Sequence, residues 1–226
     1  MRTQSLEVFV NRAWTRTLSV LTACIASLSL ATAAAAQRSE APRSNTEKLM
    51  LSLALSGTSL YSENLQDESH NGGGFSAQLG WGFNRLFTLL VDGSGSVMDQ
   101  DKDDRFVLVH FDVLGRFNFA GPRRAWVPFV EGGFSGRVAG QDNIVVNGIG
   151  GPQEVDLEIS GGGLTFGGGV QYYVVPALAL GANVRWTVGE FKTVKFNNVS
   201  VDGVEIDATT TRINLGLTWR PMIGRR

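Results

Sequence analysis

Phe75-Ser76-Ala77-Gln78-Leu79-Gly80-Trp81-Gly82-Phe83 is the stretch that decides the fold. Its odd positions are Phe, Ala, Leu, Trp and Phe. Its even positions are Ser, Gln, Gly and Gly. A strict period of two puts the two sets on opposite faces of a β-strand.

The same alternation recurs on both sides of this segment. Strands are predicted over Leu49–Gly57, Phe75–Phe83, Phe87–Val97, Val107–Phe119, Trp126–Val138, Ile159–Tyr173, Leu178–Val188 and Thr211–Trp219. No segment carries a helical period. The connections alternate in length. Short turns are expected at Asn84-Arg85-Leu86, Ala120–Arg124 and Val175-Pro176-Ala177. Long loops are expected at Ser59–Gly73, Met98–Arg105, Gly140–Glu158 and Phe191–Ala208. Eight strands with this asymmetry predict an all-β, up-and-down antiparallel barrel whose two ends face different environments.

Two barrels share the pattern, and the polar face separates them. A water-facing surface carries roughly 25–35% Lys, Arg, Glu and Asp. Here the polar face is mainly Gly, Ser, Thr, Asn and Ala, while the other face is Leu, Val, Phe and Trp. Small residues suit the packed interior of an eight-stranded barrel, and the large apolar ones suit lipid. The reading is therefore a transmembrane barrel. A soluble, secreted barrel that binds an apolar ligand is the alternative.

Composition narrows the classes further. The 28 glycines in 226 residues exceed the usual share of about 7%. They follow no collagen period. The clusters Gly161-Gly162-Gly163 and Gly167-Gly168-Gly169 lack the ending of a phosphate loop and fit close packing within a strand. One cysteine excludes an internal disulfide framework, and one cysteine with two histidines excludes the usual zinc clusters. A net charge of −1 argues against nucleic acid as a partner.

Residues 1–36 read as a secretory signal peptide. Arg2, Arg12 and Arg16 precede an apolar run from Leu18 to Leu30, and small alanines stand before Gln37. Cys24 leaves with this segment; lipidation at a lipobox-like Leu21-Thr22-Ala23-Cys24 is the alternative. A short linker is expected over 37–46, the barrel over 47–221 and a tail over 222–226.

Aromatic side chains cluster at the short-turn end. Trp81, Phe83, Phe87, Phe117, Phe119, Trp126, Tyr172 and Trp219 are expected to form one rim of an interfacial belt.

These features resemble the small outer-membrane β-barrel family, which includes the OmpA membrane domain, OmpX-type proteins and opacity adhesins. Trp126-Val127-Pro128-Phe129-Val130-Glu131-Gly132-Gly133-Phe134 resembles the family's aromatic strand after a short turn. Asn214-Leu215-Gly216-Leu217-Thr218-Trp219 resembles the C-terminal signal of such barrels, although Arg220 to Arg226 follow where the family ends on an aromatic. The resemblance implies an outer-membrane location, periplasmic termini, short periplasmic turns and long extracellular loops. It implies outer-membrane lipid, lipopolysaccharide and the assembly machinery as partners. A monomer without cofactor is expected.

The inward face collects Asp92, His110, Asp112, Arg116, Glu131, Arg137, Arg185 and Arg212. Unpaired charges in a narrow interior are costly, so they are expected to pair. Arg116 and Glu131 are placed as near-diagonal partners across the second short turn. The plain reading is a structural plug; a gated ion path is the alternative. No hydrolase signature is present, because neither His70 nor His110 has a serine in a local motif. Asp99, Asp101 and Asp103 alternate like the start of a calcium loop but lack its glycine and closing glutamate. A solvated hairpin tip is the plainer reading, and a divalent-cation site the other. The function expected is structural or surface-interactive, through four extracellular loops and without enzymatic activity. A narrow channel for small solutes is the runner-up.

Overall fold

The computed structural model describes residues 44–62, 69–99, 105–120, 124–148, 151–196 and 199–221. Side chains are not described at 142–148, 151–156, 196, 199–202 and 204. The signal-peptide reading, Cys24 and the tail after residue 221 fall outside these residues.

Eight strands form a closed antiparallel barrel in sequence order. They are β1 (Lys48–Ser62), β2 (Ser69–Gly82), β3 (Phe87–Asp99), β4 (Arg105–Asn118), β5 (Trp126–Gly148), β6 (Gly151–Val175), β7 (Leu178–Phe196) and β8 (Val199–Trp219). β8 closes on β1, with Leu51 opposite Trp219 and Leu55 opposite Leu215. Through the barrel wall every strand is paired on both sides, which is what a barrel in lipid requires.

The tight ends lie where the sequence puts them. Between β2 and β3, the Asn84 side-chain oxygen accepts from the Leu86 and Phe87 amides at 2.8 Å each. That bond is the reason an asparagine suits the turn. Pro176 and Ala177 alone separate β6 from β7.

At the other end the strands run further than the sequence predicts. β1 and β2 stay paired up to Tyr61 and Ser69. β5 and β6 stay paired up to Gly148 and Gly151, and β7 and β8 up to Phe196 and Val199. The stretches expected as long loops are therefore mostly ladder. Polar composition there marks a strand that has left the apolar layer, not a chain that has left the sheet. The β-branched residues Val145, Val146, Val155, Val194 and Val201 favour the extension. A bulge between Phe191 and Thr193 shifts the register, so Phe191 and Val194 both turn inward.

The outward set is large and apolar. Leu53, Phe75 and Phe134 are 70–72% exposed. Exposed Leu55, Phe111, Leu164, Leu215 and Leu217 continue the band around the barrel. So large an apolar surface cannot face water on a stable monomer. The inward set is small or polar in the middle, with apolar layers at both ends. Met50, Leu90 and Leu114 pack together at the short-turn end, near a second group of Val127, Tyr173 and Ala179. Leu60, Met98, Leu108, Phe191 and Ala208 pack together at the far end.

Glycine gives the middle layer its room. A Cβ on Gly167 would meet the Val184 carbonyl oxygen and lie 3.1 Å from Cγ of Arg185. The absence of a side chain at 167 lets Arg185 lie across the lumen.

Candidate functional site: a charged plug in the barrel

Strand register builds the plug from two like-charged pairs. Asp92 on β3 stands directly opposite Asp112 on β4. Arg185 on β7 stands directly opposite Arg212 on β8. Like charges directly opposite destabilise a sheet. Barrel closure removes the penalty, because the arginine pair reaches over the lumen to the aspartate pair. Arg212 Nη2 donates to Asp112 Oδ2 at 2.7 Å, and Arg185 Nη1 lies 3.0 Å from Asp92 Oδ2.

A third pair completes the layer. Arg116 and Glu131 are directly opposite in the β4–β5 ladder, not diagonal as the sequence suggests. The length of the connection at 119–125 does not by itself fix the register; the ladder does. Arg116 Nε donates to Glu131 Oε2 at 2.9 Å, and Arg185 Nε donates to Glu131 Oε1 at 2.6 Å. Arg116 also stacks on the Phe129 ring at 4.0 Å and donates to Gln78 at 3.2 Å. Three carboxylates thus face three guanidiniums, all at most 5% exposed. The layer is neutral, and Ser76, Ser94 and Thr187 add hydrogen bonds to it.

Below the plug, Arg220 lies buried at the short-turn end. Its Nη1 donates to the Thr46 carbonyl at 2.6 Å, while the Tyr173 hydroxyl donates to the Asn45 carbonyl at 2.7 Å. The last residues of the expected linker are therefore part of the barrel floor. Arg220 is fully buried and was not expected to act here. Its inward parity with Asn214, Gly216 and Thr218 is the signal that could have found it.

Above the plug lie His110 and Arg137, neighbours in the β4–β5 ladder. Both are buried, and Arg137 makes no carboxylate contact among the described residues. One pocket beside Arg116, lined also by Gln78, Gln171 and Asn214, holds about 20 Å³, room for about one water.

The eight aromatics expected as a belt all sit near the short-turn end. Seven are exposed, and Tyr172 is half-buried against Trp126 with ring centroids 4.6 Å apart. Outward aromatics also rise further, to Phe111, Phe134, and the stacked pair Phe166 and Trp186. In the acidic stretch, Asp99 ends β3 and pairs with Arg105 at 3.5 Å, both well exposed. Asp101 and Asp103 lie outside the described residues. No acidic or histidine group able to hold a metal occurs among the described residues.

Three comparisons bear on this architecture. The family model for the outer membrane protein beta-barrel domain matches residues 22–220. The crystal structure of Neisserial surface protein A is similar with a TM-score of 0.58 at 18% identity, covering 76% of this chain and 97% of that one. The outer membrane protein OprG from Pseudomonas aeruginosa is similar with a TM-score of 0.52 at 7% identity, covering 79% and 98%. At such identities the likeness is one of fold. No curated protein matches the sequence. An apolar exterior, a charged interior and this match together exclude the soluble-barrel alternative. The chain belongs to the outer membrane protein beta-barrel domain family and is an integral barrel of the outer membrane.

Proposed function

We propose that the protein is a closed, non-catalytic outer-membrane scaffold that carries strand hairpins as a contact surface above the membrane. The observation that supports this most is the neutral layer of three carboxylates and three guanidiniums across the lumen. A path for solutes would have to break several buried ion pairs at once, each costly to separate in a dry interior.

The contact surface is uneven. β5 and β6 are 23 and 25 residues long, and β7 and β8 are 19 and 21. β1 to β4 are only 13 to 15. The β5–β6 hairpin thus carries roughly ten more residues per strand, about 30 Å of extended chain. Of the four extracellular connections, the two tall hairpins supply most of the surface. The barrel wall meets outer-membrane lipid and lipopolysaccharide, and the β8 signal meets the assembly machinery. A monomer satisfies the fold, because the barrel wall closes on itself.

Planar-bilayer recording of the purified chain tests the closed state. The expected record is silent at the wild-type sequence. Reproducible single-channel steps, altered by Glu131→Gln, would favour the narrow channel instead.

A further inference from the structure

Inward-facing side chains turn apolar again above the plug. Leu60, Phe106, Ile159, Phe191 and Ile206 line a cavity of about 200 Å³ at the extracellular end, with His70, Ser62 and Gln141 also in its wall. Its packed base is the cluster that includes Met98 and Leu108. The plug lies beneath, so the cavity is a cup and not the entrance to a passage. An apolar cavity of about 150 Å³ stays dry and holds one benzene ring. A tail of roughly six to eight carbons is therefore the size that fits.

Arg137 lies just beneath this cup and brings a charge close to it. It lies one inward position below Ala139, which lines the cavity. Its guanidinium faces the Phe191 ring at 4.9 Å, and its Nη1 donates to the Ala208 carbonyl at 3.0 Å and to Thr210 at 3.2 Å. Phe191 and Ala208 line the cavity too. The remaining donors, Nε and Nη2, have no hydrogen-bond partner among the described residues, although the residue is only 1% exposed. Those two donors form the side of a guanidinium that grips a carboxylate with two parallel bonds. A buried cation with that edge free is costly. The three carboxylates of the plug are already matched by three other arginines, so Arg137 is a surplus positive charge in the interior.

We propose that the cup binds a small amphiphilic carboxylate from outside the cell, its tail among Leu60, Phe106, Ile159 and Ile206 and its carboxylate on the free edge of Arg137. The inference goes beyond the scaffold reading and concerns a different layer of the barrel. The simplest competing state is a water shared between Arg137 and the unpartnered Nε2 of His110.

Equilibrium dialysis of octanoate against the full chain in lipid nanodiscs, with empty nanodiscs as the blank, tests it. Saturable one-to-one binding is expected. It should weaken at least tenfold in Arg137→Gln and at least tenfold for the uncharged 1-octanol. Ala139→Phe, which fills the cup, should abolish it while the folded gel mobility persists. If Arg137→Gln fails to fold, the octanol comparison and Ala139→Phe still decide. No binding above the blank, as a bridging water alone would give, overturns the proposal. Equal binding of octanoate and octanol, or octanoate binding unchanged in either variant, overturns it as well.

Discussion

Arg185→Met is expected to destabilise the folded barrel by about 3–5 kcal/mol, the cost of breaking a buried ion pair from one side. Arg185 is the hub of the plug. It lies 2.6 Å from Glu131, 3.0 Å from Asp92 and 3.7 Å from Asp112. Without it, three buried carboxylates share two guanidiniums, and Asp92 keeps the 3.9 Å contact with Arg212 and a 3.4 Å hydrogen bond from Ser76. Methionine fills much of the volume but supplies no donor. Adding Asp92→Asn should recover part of the loss, because it removes the carboxylate left most exposed to repulsion from Asp112. Urea unfolding in lipid vesicles measures both changes. A loss below about 1 kcal/mol would place the pair in the range of solvated surface bridges and the layer in water.

The second large effect belongs to the outer face. Leu215→Arg is expected to cost about 2–4 kcal/mol, the penalty for a basic side chain near the bilayer midplane of a barrel. Leu215 is 57% exposed, stands opposite Leu55 and Ala182, and has Ile213 and Leu217 exposed beside it on β8. It therefore lies inside the apolar band, above the Trp219 rim. Thr209→Arg, higher on the same strand and the same face, should cost about 0–1 kcal/mol, as substitutions near the interface do. Folding titrations into vesicles compare the two. Equal costs would mean that no apolar layer surrounds the barrel at Leu215.

Much of this architecture is legible in the chain because a membrane strand has a short code. In Phe75–Phe83 each residue declares its face, and the parity of Asp92, Asp112, Glu131 and Arg185 already puts them inside. What parity lacks is height and opposition. That Arg185 stands opposite Arg212, and that both reach Asp92 and Asp112 across the lumen, depends on closure of β8 on β1. Local sequence does not contain that. The register of Arg116 against Glu131 was likewise set by a ladder, not by the turn that joins them. The far ends of the strands look like loops for a different reason. Polarity signals water, and above the bilayer a hairpin and a loop both face water. The apolar cup lay hidden for the same cause, since Leu60, Phe191 and Ile206 fall in stretches read as loops. Arg220 stands where the resemblance expects an aromatic ending, yet its side-chain parity points inward.

The barrel proposed here is inside-out, with its lumen closed by the charged layer. Nitroxide labels on single cysteines in the lipid-embedded chain test both properties together. Labels at Leu53, Phe111 and Leu215 sample the outer face, and labels at the small buried residues Ser76 and Ser135 sample the interior. Collision with oxygen, which partitions into lipid, is compared with collision with a water-soluble nickel complex. The outer three sites are expected to meet oxygen and not nickel, and the inner two to meet neither. Nickel collisions at Ser76 and Ser135 would mean an open lumen, and nickel collisions at Leu53, Phe111 and Leu215 would mean a barrel that faces water.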